Sequence, residues 1–210
     1  RTLIVVDGLY SMDGDICPLP ELVELKRRYD AFLLVDEAHA LGVLGTTGRG
    51  VHEHFGIAAE AVDVWTGSLS KAVPSNGGFL AGRRDLIVYL QHASAPFWFS
   101  AALAPAAAGA ALEALRVARR EPERLEALRR NADALLAGLR ARGYDTGNSA
   151  SAIVPVLVGE DVAAWQLARR LFDEGVLVSA VVHPAVRRGA ARLRLCATAA
   201  QSAADLDEAL

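Results

Sequence analysis

Lysine, cysteine and methionine are all scarce in this chain of 210 residues, which holds two lysines, two cysteines and one methionine. Each scarcity excludes something. Basic residues do not outnumber acidic ones, since 22 against 25 leaves a formal net charge of −3. The cationic surplus expected of a nucleic-acid or anionic-membrane binder is therefore missing. Cys17 and Cys196 lie too far apart to make a metal-ligand spacing, and both are expected to be reduced core thiols of a cytoplasmic protein. Charge as such is not lacking, at 22%, and a hydrophobic share of 52% is ample for a core. Disorder and every fibrous class are excluded.

One uncharged run needs separate treatment. Residues 86–112 hold no Asp, Glu, Lys or Arg and are long enough to span a bilayer. They also contain Gln91, His92, Ser94, Pro96, Ser100 and Pro105, end in alanines, and have no Lys/Arg cluster at their flanks. The run reads as a buried helix, a short strand and another helix. No signal peptide opens the chain; Arg1 stands directly before a strand-like run, and an N-terminal portion is expected to be missing.

Short β-rich runs alternate with longer helical ones, which predicts an α/β fold. Residues 3–8 (LIVVDG) and 31–36 (AFLLVD) read as strands, the second without alternation and so expected to be covered on both faces. Residues 18–30 form a helix with Leu22, Val23 and Leu25 inward and Lys26, Arg27 and Arg28 outward, Lys26 as a solvated charge. A glycine-punctuated loop covers 42–50, strands follow at 62–66 and 78–81, and two helices fill 104–142. The rhythm then restarts with strands at 153–158, 176–182 and 191–198, a helix at 162–174, and a last helix opened by a Ser202/Asp205 capping pattern. The expected organisation is part of a large, mainly parallel domain over 1–115, bridging helices over 116–148, and a small α/β domain over 149–210.

Polar residues cluster just past three strand ends, where open α/β sheets bind ligands: Asp7 with Ser11 and Asp13, Asp36 with His39, and Ser68 with Ser70 and Lys71. Lys71 stands out because this chain otherwise writes arginine, and only an amine can form an imine with an aldehyde. As an alternative it is an ordinary loop lysine. Asp36 ends an apolar strand, so its carboxylate needs a partner. A protonated pyridine nitrogen would serve and would in turn be kept charged, as an electron-sink cofactor requires. His39 can donate to such a ring or to substrate, and Ser68 and Ser70 can bind phosphate; an N-cap Asp, a structural His and turn serines are the plain alternatives. Asp36-Glu37-Ala38-His39 also spells a helicase magnesium box, but that reading needs a phosphate loop ending in Lys-Ser/Thr, which the chain does not contain. His52 and His54 have no neighbouring Cys or third His to make a zinc site.

Three segments in order carry a resemblance. GLYSMDGDICPL (8–19), LLVDEAHALGVLGTTGRG (33–50) and TGSLSKAVPSNGGFLAG (66–82) are similar to the motifs of the α-oxoamine synthases, fold-type I pyridoxal-phosphate enzymes of the aminotransferase class I/II superfamily. The likeness covers essentially the whole chain. It implies that Lys71 forms the imine with pyridoxal 5'-phosphate and moves the substrate's α-proton, and that Asp36 pairs with the pyridine nitrogen. It further implies that His39 and Ser11 contact the phenolic oxygen and that Ser68 and Ser70 hold the phosphate. Ser100 matches a residue that reaches the phosphate from a neighbouring subunit. The implied reaction joins an amino acid to an acyl thioester, acyl-CoA or acyl-carrier protein, usually with loss of carbon dioxide, in a cytoplasmic homodimer without a membrane span or nucleic acid. His183 stands where the family's substrate-carboxylate arginine usually sits, with Arg187 and Arg188 nearby. The chain alone is expected to be inactive, and another fold-type I enzyme such as an aminotransferase, or a non-catalytic partner subunit, remains an alternative.

Overall fold

Apolar, β-branched runs bury their backbone polar groups only by pairing, and the computed structural model, which describes all 210 residues, pairs them in two sheets. The chain divides into two compact units, one of Arg1–Leu9 with Cys17–Pro122, the other of Tyr10–Ile16 with Glu123–Leu210.

The first unit is built from β1 (Leu3–Asp7), α1 (Leu19–Arg28), β2 (Phe32–Asp36), α2 (Val51–His54), β3 (Val64–Ser68), β4 (Gly78–Gly82), α3 (Arg84–Ala93), α4 (Ala95–Trp98) and α5 (Pro105–Arg120). Its sheet has the order β1-β2-β3-β4, with the first three strands parallel and β4 antiparallel to β3. Leu33 and Val35 are fully buried, with Leu9, Leu19 and Val51 in the same core. The opposite row is different. Leu3 pairs in register with Phe32, and both stay about half exposed, at 58% and 49%. The two-sided cover expected for β2 is therefore absent within this unit.

Three expectations in this unit are corrected. Lys26 is not a solvated charge: its Nζ lies 2.8 Å from Asp63 Oδ1 and donates to the Ala61 carbonyl, while Leu25 on the same helix is exposed. The partner could not be read from the helix, because Asp63 comes from the turn just before β3. Residues 86–112 contain no strand, and of them only Ala111 is buried. They hold α3, α4 and the start of α5, with Tyr89, Phe97, Trp98 and Phe99 exposed. No helix is long and apolar enough to cross a membrane.

The second unit holds α6 (Glu123–Ala141), β5 (Ile153–Gly159), α7 (Asp161–Asp173), β6 (Ser179–Val181), β7 (Ala191–Cys196) and α8 (Ala203–Ala209). Its strands are antiparallel in the order β5-β7-β6. The strand expected over 176–182 shrinks to three residues, and Leu177 is exposed. The Ser202 cap is present as written, its hydroxyl accepting from the Asp205 amide while Asp205 accepts from the Ser202 amide. Cys17 is buried as expected, but Cys196, at the end of β7, is exposed.

Candidate active site

Parallel pairing puts two strand ends in line. Asp7 lies opposite Asp36, and Asp36 opposite Thr66, so the ends of β1 and β2 stand level with the middle of β3, which runs on to Ser68. Two carboxylates side by side repel unless a cation joins them. The Asp7 carboxyl is held above its ordinary value, first by burial and then by the charge of Asp36, and the Lys71 ammonium pulls it back down. The structure thus brings Asp36 and Lys71 to bear on one carboxyl group.

Local bonding fixes each of these side chains. Asp36 is half-buried, and its Oδ1 accepts from the Ala38 amide at 2.7 Å. The amides of Ala40 and Leu41 both donate to the Glu37 carbonyl, which folds the turn carrying the half-buried His39. Lys71 is exposed on the loop after β3, whose base is closed by the Leu69 amide bonding the Gly77 carbonyl at 2.9 Å. That loop touches the His39 loop: a Cβ added at Gly42 would meet the Ala72 Cβ at 2.6 Å. Gly42 also sits at φ 77°, where glycine alone is relaxed.

Ser68 Oγ and Ser70 Oγ are 2.7 Å apart, and the Ser70 amide donates to Ser68 Oγ at 3.1 Å. Such a pair of hydroxyls, aligned by the Ser70 amide at a strand end, is suited to a phosphate. A cationic ring nitrogen and a phosphate are therefore what this row and this serine pair can receive, and pyridoxal phosphate fits the donor set.

The remaining sequence candidates have surroundings of their own. Ser11 belongs to the second unit, where its carbonyl accepts from Arg194 Nε and its neighbour Asp13 pairs with the buried Arg192. That segment borders a cleft of about 490 Å³ lined by two arginines, Arg187 and Arg192, while His183 stands exposed on the turn before Arg187. Ser100 is exposed in the first unit. His52 stacks at a tilt on Trp65 and His54 edge-on to Phe55, both as packing contacts.

Two residues of the site were missed by sequence reasoning in their full weight. Asp7 carried the same signal as Asp36, an acid closing an apolar strand. Glu37 carried none, since its burial at 4% depends on residues brought to it in space.

Residues 1–210 match the aminotransferase class I and II family throughout. The chain belongs to that family. Among relatives of this aminotransferase family, the 8-amino-7-oxononanoate synthase of Symbiobacterium thermophilum is 47% identical over the whole chain, which covers 53% of that protein. The 8-amino-7-oxononanoate synthase 1 of Bacillus subtilis is 44% identical over 99% of the chain, again covering 53% of its length. Serine palmitoyltransferase from S. paucimobilis, solved with pyridoxal phosphate and myriocin bound, superposes with a TM-score of 0.92 at 35% identity, covering 98% of this chain and 52% of that one. The fold is thus the fold-type I architecture of these enzymes. The chain spans about half the length of the curated relatives it matches.

Proposed function

We propose that the whole protein is a pyridoxal-phosphate-dependent acyltransferase that condenses an amino acid with an acyl thioester, usually with loss of carbon dioxide, releasing the free thiol and an α-oxoamine. The observation that carries this reading is the strand-end row of Asp7 and Asp36 with the Lys71 charge acting on it. When bound, the cofactor supplies an electron sink for the carbanion at the amino acid's α-carbon. Asp36 holds the ring nitrogen protonated by its negative charge. Lys71 would hold the cofactor at its aldehyde carbon and, once displaced by the substrate's amine, would carry the α-proton away and back. His39 orients the ring's phenolic oxygen, and Ser68 with Ser70 anchors the phosphate. The family roles of Ser11 and Ser100 belong to the same proposal, as does a substrate-facing place for His183.

A cytoplasmic homodimer is part of the reading. The homodimer is supported by the Phe97-Trp98-Phe99 run, exposed at 64%, 63% and 89%, beside Ser100. Consecutive aromatics left in water mark a surface that another chain covers.

The test is the visible spectrum of the full-length protein with added cofactor. Wild type gives an absorbance band of the lysine-bound cofactor, and Lys71→Ala loses that band. Carbon dioxide release is then measured with glycine, alanine and serine against several acyl thioesters. A protein with no band is a non-catalytic partner, and one that exchanges amines without releasing carbon dioxide is an aminotransferase.

A further inference from the structure

Glu37 is the most deeply buried acid in the chain, and none of the roles assigned above uses it. Its carboxylate sits between the carboxyl end of β2 and the first residue of α2. Both oxygens accept from the Val51 amide, at 2.9 and 3.2 Å. Two glycines make room for it. A Cβ on Gly8 would stand 3.2 Å from Glu37 Oε2, and a Cβ on Gly50 would overlap the carboxylate itself. Its own amide donates to the Thr66 carbonyl at 2.7 Å, and its carbonyl holds the His39 turn through the amides of Ala40 and Leu41. One residue therefore ties together β3, the His39 turn and the start of α2.

Glu53 of α2 also holds the loop, through the Thr47 and Arg49 amides, but the Val51 amide has no second acceptor. Gly50 provides no side-chain cap for this four-residue helix, so the Val51 amide depends on Glu37 alone. We propose that Glu37 is a positioning residue of the cofactor site: by bonding the Val51 amide it closes the 38–50 loop and fixes His39 and Asp36 where they meet the ring. The inference rests on the pyridoxal-phosphate reading above. The charged and ionisable groups facing the carboxylate are Asp36 beside it and the Cys17 thiol, with Asp7 next along the row. Burial, opposed by the Val51 bond and helped by Asp36, pushes Glu37 up to about 7, so part of the population keeps a proton at neutral pH without giving up the acceptor oxygen.

The experiment compares cofactor affinity, and the pH at which the bound cofactor's visible band bleaches, in full-length wild type, Glu37→Leu, Glu37→Gln, Val51→Pro and Lys26→Met. Glu37→Leu orphans the amide and is expected to weaken cofactor binding about tenfold and to move the bleaching pH. Val51→Pro removes the donor at a helix position that accepts proline, so it should reproduce both effects even where Glu37→Leu does not fold. Glu37→Gln keeps an acceptor and should restore the affinity to within about threefold. Lys26→Met breaks a brace elsewhere in the unit and should lower stability while leaving the bleaching pH in place. The proposal is overturned if Glu37→Leu and Val51→Pro bleach at the wild-type pH, or if Lys26→Met shifts it equally. Wild type that binds no cofactor sinks the functional reading instead.

Discussion

At the scale of single residues, the site is a set of acids that share few cations. Asp7, Asp36 and Glu37 crowd the strand ends, and the burial of Glu37, with the Asp36 charge adding to it, has a measurable signature. Glu37 titrates near 4.5 when unfolded but near 7 in the folded protein, so the unfolded chain releases its proton first as pH rises. Stability therefore falls through that window and levels off above it. Glu37→Gln removes this slope. Urea unfolding of the full-length protein should show the variant gaining on wild type by about 2–3 kcal/mol between roughly pH 5 and pH 8. Equal slopes for the two proteins would refute it. Asp36 and Lys71 were legible in the sequence because each is odd where it stands, an acid closing an apolar strand and an amine in a chain of guanidinium groups. Glu37 was not legible, because the two glycines that shelter it, Gly8 and Gly50, are remote in sequence. Lys26 was misread for the same reason.

At the scale of elements, periodicity recovered most of the strands and helices, and it failed where tertiary pairing decides. The strand expected over 62–66 lies two residues later, because Asp63 is diverted to bond the Leu33 amide through Oδ2 at 2.8 Å and Lys26 through Oδ1. One carboxylate thus fastens α1 and β2 to the turn before β3. Asp63→Ala leaves the half-buried Lys26 ammonium with only the Ala61 carbonyl and a strand amide unpaired, and is expected to cost about 2–4 kcal/mol of unfolding free energy. Asp63→Asn, which keeps one acceptor, should cost about half as much in the same denaturation measurement. The last helix offers a smaller case: Ser202→Ala removes a cap that was written in the sequence and should lower stability by about 1 kcal/mol, read from the same unfolding curves.

At the scale of the whole molecule, the sequence announced an α/β fold with two sheets, and its one large error concerned the uncharged run before α5. Lack of charge was read as burial within the chain, whereas Phe97, Trp98 and Phe99 face water. A sequence pattern reports that a surface avoids solvent and cannot say whose atoms cover it. If a second copy does, Trp98→Asp with Phe99→Asp should turn the full-length protein monomeric in sedimentation velocity and weaken cofactor binding together. A double variant that sediments as wild type would leave the aromatics without that role.

The cross-strand alignment of Asp7, Asp36 and Thr66 carries a consequence for how this molecule tolerates genetic change. Side chains alternate along a strand, so deleting a single codon within Phe32–Asp36 rotates the terminal acid to the reverse of the sheet and separates it from its neighbour. Inserted residues at the exposed Thr46 and Thr47 leave the ladder untouched. The proposed site is set by the register of backbone pairing, and a longer loop at Thr46 and Thr47 is expected to be tolerated better than the loss of one residue from a five-residue strand.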